Sequence, residues 1–222
     1  RKHPVAGQAD EMVTRAEVLM ARGATPEAAQ ALQIAWDATR GHAADIAEAM
    51  ADLAEQEANP VLAIEAQRQS VHYGPSPARR ARLALALARA GRTEEALRSL
   101  PSSDRSPEEH IAAACAARIT GDKHTVETAL DEAFELYREM AAPPIAWLDH
   151  LASELEQAGL SRLVLQVLGR ITLFRPADAL GRARYAHALC EAGEYEKGAS
   201  EAAASLMLNP GLLPARRSLA SC

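Results

Sequence analysis

Seven histidines and three cysteines are the side chains in this 222-residue sequence best suited to ligate a metal or attack a substrate. Their spacing argues against both. There is no HExxH, and helix-spaced His–acid pairs such as His42 to Asp45 and His150 to Glu154 stand isolated. An i,i+4 His–Glu pair is an ordinary contact on a helix surface, because a zinc site needs three or four converging ligands. Cys115, Cys190 and Cys222 lie far apart with no CxxC. An odd, scattered set argues against a disulfide framework and favours a reducing, cytoplasmic compartment, with a periplasmic one left open. Cys115 and Cys190 stand in Ala-rich stretches with no His near them in sequence, so they read as small packing residues rather than nucleophiles. Gly91, Gly121, Gly159 and Gly193 are single, so no phosphate-cradling loop is present. Trp36 and Trp147 fall in apolar stripes and read as core or groove anchors. The expectation is a segment with no catalytic residues, no cofactor and no metal.

The net charge of −6, on a chain with 24% charged residues, provides a soluble surface and no general attraction to nucleic acid or anionic membrane. Arg supplies 21 of the 24 cations, and a GC-rich coding bias explains Arg, Ala, Gly and Pro together. Hydrophobic residues make up 48% of the chain but aromatics only 4%, with Ala supplying much of the rest. Small side chains suit helices that approach closely. No apolar run reaches the roughly 20 residues that span a bilayer. Arg1-Lys2-His3-Pro4 is no signal peptide, and the absence of a starting Met leads us to expect a piece of a longer protein.

The elements that would position any site are helical throughout. Met12, Ala16, Leu19 and Met20 form a stripe at three-to-four spacing, broken at Gly23. Thr25-Pro26, Asn59-Pro60, Thr93 and Ser106-Pro107 read as capped helix starts, and Gly41 and Tyr73-Gly74-Pro75 as turns. From Ile145 to Leu212 the pattern becomes regular. Leu148, Leu151, Ala152, Leu155, Gly159, Val164, Leu168, Ile171 and Pro176 are followed, 34 residues later, by Arg182, Tyr185, Ala186, Leu189, Gly193, Gly198, Ala202, Ser205 and Pro210. A fixed period of this length marks stacked helical hairpins. The expected organisation is a disordered lead-in at 1–8 and a single solenoid over 9–222. Its hairpins are 9–42, 43–76, 77–106, 107–144, 145–178 and 179–212, with a truncated final helix at 213–222.

These marks resemble the tetratricopeptide repeat (TPR) family: a large residue, Leu, a small residue, an aromatic, a Gly turn, a small residue in the second helix and a closing Pro. The resemblance is strongest over 145–212. Leu148 and Arg182 stand in place of the family's opening Trp, and Val164 where a small residue is expected. It implies an all-α, right-handed superhelical solenoid of antiparallel hairpins whose first helices line a concave groove. It also implies a non-catalytic scaffold that binds a peptide or protein partner there. The residues projected into that groove are Asp10, Glu17, Asp45, Glu48, Asp52 and Glu55, then Arg82, Arg89, Cys115 and Arg118. Asp149, His150, Glu156, Arg184, His187 and Glu191 follow, with Arg217 beyond. The projected surface runs from acidic through basic to mixed. The clamp that some TPR proteins use for chaperone-tail carboxylates is missing, because its positions hold Asp45, Ala49, Asp52, Arg82 and Leu85. Self-association through a solenoid face is a further expectation. The alternative is a TPR portion of a larger protein, either a periplasmic segment of an exopolysaccharide or envelope export machine or the repeat domain of a glycosyltransferase or sulfotransferase.

Overall fold

The computed structural model describes residues 4–39, 43–140, 145–157 and 161–222. Among them the chain is all-α, with helices joined by short turns and no strand. The helices are α1 (Pro4–Ala21), α2 (Thr25–Ala38), α3 (Ala44–Gln56), α4 (Pro60–Tyr73), α5 (Pro77–Arg89), α6 (Thr93–Ser99) and α7 (Pro107–Thr120). They continue with α8 (Lys123–Glu139), α9 (Ile145–Gln157), α10 (Ser161–Phe174), α11 (Ala179–Glu191), α12 (Tyr195–Leu208) and α13 (Leu213–Ser221). None is long and apolar enough to cross a membrane. The chain divides into two compact units, Arg1–Ala133 and Phe134–Cys222, the division falling within α8.

Local signals explain most of the boundaries. Gly23, Gly91, Gly121 and Gly193 carry φ of +74°, +75°, +76° and +83°, the left-handed turn that a side chain resists. Asn59 and Ser76 cap α4 and α5, and Ser106 forms a reciprocal capping box with Glu109 at the start of α7. Thr25 and Thr93 differ from expectation. Each is the first helical residue rather than the cap, and Ala24 and Arg92 precede them with no side-chain cap bond. α1 begins at Pro4, within the stretch expected to be a disordered lead-in; proline suits a first helical turn because its missing N–H has no partner there anyway. The turns expected at Gly41 and Gly159 and the stop at Pro143-Pro144 lie outside the described residues.

In the first unit, Ala9, Ala16, Ala28, Ala31, Leu32, Ala35, Ile46, Ala49 and Leu53 bury together, with Met12, Leu19, Trp36 and Met50 packed against them. Further along, Ala81, Ala84 and Leu87 of α5 and Ile111 to Ala117 of α7 are buried, and α5 packs on α7. Glu109 is also buried, held by the Arg80 Nε at 2.6 Å and by the Ser106 N–H at 2.8 Å. A buried carboxylate with two such donors is satisfied; without them its desolvation would be costly. In the second unit Leu148, Leu151, Leu155, Leu168, Ile171, Ala186, Ala202 and Ala215 form the interior. Tyr137 meets Phe174 at 6.1 Å between ring centroids, and the Arg170 guanidinium lies 5.4 Å over the Phe134 ring.

The cysteines correct the sequence reading. Cys190 of α11 and Cys222, at the end of α13, form a disulfide with Cα atoms 5.2 Å apart, while Cys115 is buried in α7. Gly198 of α12 makes room for the bridge. A Cβ built there would stand 2.5 Å from the Cys190 sulfur, 2.8 Å from the Cys222 sulfur and 3.0 Å from the Ala186 carbonyl oxygen. Because the carbonyl is backbone, the crowding is not relieved by a rotamer change. Reducing the bridge, which closes a separation of 32 residues, is expected to cost about 2–4 kcal/mol by the loop-entropy estimate. Gly198→Ala should cost roughly 1–3 kcal/mol through overpacking. Denaturant unfolding with and without reductant checks both; a parent protein indifferent to reductant would contradict the first.

His110 of α7 makes a second, pH-dependent contribution. Its Nδ1 lies 3.0 Å from Glu132 Oε2, and the side chain is only 12% exposed. Burial holds the imidazole below the ordinary histidine value; Glu132 and Glu109 oppose that shift and Arg105 adds to it. A histidine depressed in the folded state favours folding above its unfolded pKa of about 6.5 and loses that contribution as pH falls. An NMR titration should therefore find the His110 midpoint below about 6.5. Stability should drop more steeply toward pH 5 in the parent than in His110→Gln, and a midpoint above that value would reverse the sign.

Candidate interaction surfaces

On α3, Asp45, Glu48, Asp52 and Glu55 recur at three- and four-residue steps and so share one helix face. On α5, Arg79, Arg82 and Arg89, three and then seven residues apart, also share one face. The structure sets these faces against each other. Arg79 donates from Nε to Glu48 at 3.2 Å, from Nη1 to the Gly74 carbonyl at 2.9 Å, and from Nη2 to Asp45. Arg82 Nη1 reaches Glu48 at 3.1 Å and Asp52 at 2.9 Å, and Arg89 Nη1 reaches Glu55 at 3.4 Å. Acidic and basic zones projected as successive stretches offered to a partner are thus partners of one another.

Arg79 was not among the projected groove residues, yet it makes the most contacts in this ladder. The signal for it is the repeat period: Asp45 to Arg79 and Glu55 to Arg89 are each 34 residues apart, and Glu48 to Arg82 is the same step. A residue one period on occupies the equivalent position of the next hairpin, so an acid followed one period later by Arg forms a cross-hairpin pair.

Asp52 behaves differently from its neighbours. Burial raises its carboxyl above the ordinary aspartate value, Glu55 and Glu48 reinforce the rise, and Arg82 opposes it without prevailing. Ionised Asp52 therefore adds little to folding at neutral pH, whereas Glu48 bridges two arginines. We expect Glu48→Gln to cost about 1 kcal/mol at low salt, less in 0.5 M NaCl, and Asp52→Asn to stay within about 0.5 kcal/mol of the parent. Urea unfolding at two salt concentrations measures both; equal losses would remove the distinction.

The second unit gathers a smaller set. Arg184 of α11 donates from Nη1 to Asp149 at 3.4 Å and from Nη2 to Ser153 Oγ at 3.4 Å and Glu156 at 3.2 Å. Arg175 adds a contact to Asp149 at 3.5 Å. His187, exposed, stands 3.4 Å from Glu191 on the same helix. Glu156, Ser161, Val164, Arg184, His187, Ala188 and Glu191 line a cleft of about 360 Å³. Of the other projected residues, Arg118 is half-buried on α7, His150 half-buried on α9, and Asp10, Glu17 and Arg217 exposed. Cys115 is buried rather than presented. Trp36 is half-buried against the first-unit core, and the Trp147 side chain lies outside the described residues.

Comparison with solved structures identifies the fold. The chain is similar to PilF of Pseudomonas aeruginosa over 99% of its own length and 100% of that chain, with a TM-score of 0.58 and 17% identity. PilW, a type IV pilus biogenesis factor, aligns over 95% and 98% with a TM-score of 0.56 and 16% identity. Cut9, from the APC/C hetero-tetramer Cut9–Hcn1, aligns over 99% of this chain and 43% of its own, with a TM-score of 0.60 and 15% identity. No protein-family model and no curated protein sequence matches the chain. The fold is that of the TPR proteins, an all-α superhelical solenoid, as the residue pattern implies.

Proposed function

We propose that this chain is a non-catalytic scaffold that binds a protein or peptide segment on the first-helix faces of its hairpins. The observation that carries the reading is the cleft around Arg184 and His187, an open recess with charged side chains at its rim and Val164 and Ala188 in its lining. Arg184 offers guanidinium donors already oriented by Asp149, Glu156 and Ser153, and His187 and Glu191 stand at the exposed rim. Such a recess suits a polar or charged side chain of a partner, with the pre-oriented Arg setting register. In the first unit, Asp45, Glu48, Asp52, Arg82 and Arg89 form a largely self-neutralised face of their own, and Arg118 stands half-buried on α7; in the second unit His150 stands half-buried on α9. The Cut9–Hcn1 structure supports a protein partner for this fold.

A second reading, a TPR component of an envelope assembly machine, is favoured by two observations. The likeness to PilF and PilW runs over nearly their whole chains. The Cys190–Cys222 bridge is at home in an oxidising compartment.

Capture from the native lysate tests the scaffold reading. Ser161→Trp and His187→Trp fill the cleft from exposed positions and leave the Arg184 ion pairs in place. A specific partner recovered by the parent should fall at least tenfold in both variants while circular dichroism stays unchanged. Equal recovery would move recognition off this cleft.

A further inference from the structure

The first unit holds another recess, on the other side of α3 from the ion-pair ladder. Ala29, Leu32, Gln33 and Trp36 of α2 form one wall, and Leu62, Glu65, Ala66 and Gln69 of α4 the other. Ala47, Met50 and Ala54 of α3 form the floor. At 100° per residue, the floor residues and the ladder residues of α3 point roughly 150° apart. The cleft has a volume of about 400 Å³, within the range of sites that take several apolar side chains.

The two walls have the same form. Residues 29, 32, 33 and 36, and residues 62, 65, 66 and 69, are each an i, i+3, i+4, i+7 stripe, the surface one helix presents to another. Each covers two turns, about 10 Å at 1.5 Å per residue. Helices α2 and α4 both pack on α3. Three helix faces therefore converge on a trough two turns long, the shape a fourth helix fills in a bundle. The apolar surface continues outward through Leu62, 55% exposed, and Val61, 74% exposed.

The charge of the rim selects the occupant. Among the described residues, Glu57 and Glu65, both exposed, are the charged ones lining the cleft, and no cation lines it. Arg68 of α4 is engaged by Glu95 instead.

We propose that this trough is a second docking site, specific for a short amphipathic helix of a partner protein. That helix would have apolar residues at i, i+3, i+4 and i+7 and Lys or Arg beside them to meet Glu57 and Glu65. Anchor side chains in the trough supply affinity, and the acidic rim sets orientation and on-rate. The inference does not depend on the Arg184 cleft, so the scaffold could engage two segments at once.

The probe is a pair of fluorescein-labelled synthetic peptides with the same Leu i, i+3, i+4, i+7 stripe on an Ala background. One is flanked by four Lys, the other by four Glu. Fluorescence anisotropy at 0.1 M salt should show the Lys peptide binding at least tenfold more tightly. Ala66→Trp, which fills the trough, and Leu62→Glu, at an exposed position, should each weaken binding at least tenfold. Glu57→Lys with Glu65→Lys should invert the preference between the two peptides. Leu62→Glu carries the test if Ala66→Trp fails to fold by circular dichroism. Failure of both peptides to bind, equal binding of the two, or affinity unchanged by the trough variants would overturn the proposal. So would a dimer of the parent, seen by light scattering and lost in Leu62→Glu, because a second copy would then be the occupant.

Discussion

Close approach of helices across small side chains is the constraint on which the rest of this structure depends. In α5 the buried residues include Ala81, Ala84, Ala86 and Ala88, and in α7 an almost unbroken run from Ala112 to Ala117. Alanine costs no side-chain entropy on burial and stands little above the helix surface, so neighbouring backbones come close and the thin core grows along the stack. Two consequences follow. Volume matters acutely, as at Gly198, where one methyl would press on two sulfurs and a carbonyl oxygen. Long side chains at the edges of the contact can also reach the next hairpin, as Arg79, Arg82 and Arg89 do.

The repeat period links these edge contacts. Stacked hairpins superpose equivalent positions, so a side chain meets residues about one period away. The ladder between α3 and α5 has separations of 30 to 34 residues, and the disulfide joins positions 32 apart. Arg184 reaches Asp149, 35 residues back. These contacts are sequence-distant but regular, and each ties a first helix to the first helix of the next hairpin. Exposed ion pairs of this kind are individually weak, and their value lies in networks. Glu48, shared by two arginines, is where the first-unit network is tightest.

Legibility in the sequence followed the same division. The apolar positions and turn glycines are readable because each acts locally: an αL glycine ends a helix and a three-to-four stripe marks its buried face. The start of α7 was readable too, since Ser106 and Glu109 satisfy each other within one turn. Thr25 and Thr93 misled by one position because the left-handed Gly23 and Gly91 turns, closed by the Ala24 N–H to the Leu19 carbonyl and the Arg92 N–H to the Leu87 carbonyl, set the residue before each threonine as the cap. The disulfide and the ladder lie where the period links cysteines and opposite charges rather than the helix and turn marks that define the hairpins. Asp45 and Arg79 are one full period apart, and Cys190 and Cys222 two residues short of one, so each pair falls on the first helices of successive hairpins. The trough between α2 and α4 was not legible in that way. Its residues look like ordinary helix faces, and only their convergence on α3 reveals the trough.

That convergence bears on how a scaffold of this kind would divide its surfaces. A partner entering the ladder face of α3 must exchange existing Arg–carboxylate pairs for new ones, so charge there contributes selectivity with little net affinity. A partner entering the opposite face of α3 removes apolar surface from water at about 25 cal/mol per Å² and displaces no ion pair. The two faces of one helix are therefore suited to different tasks. The charged face holds neighbouring hairpins in register, and the apolar face has free energy available for binding. On the reading proposed here, α3 is the element through which hairpin stacking and partner docking are coupled: an occupant of the trough packs against the helix whose other side carries the ladder.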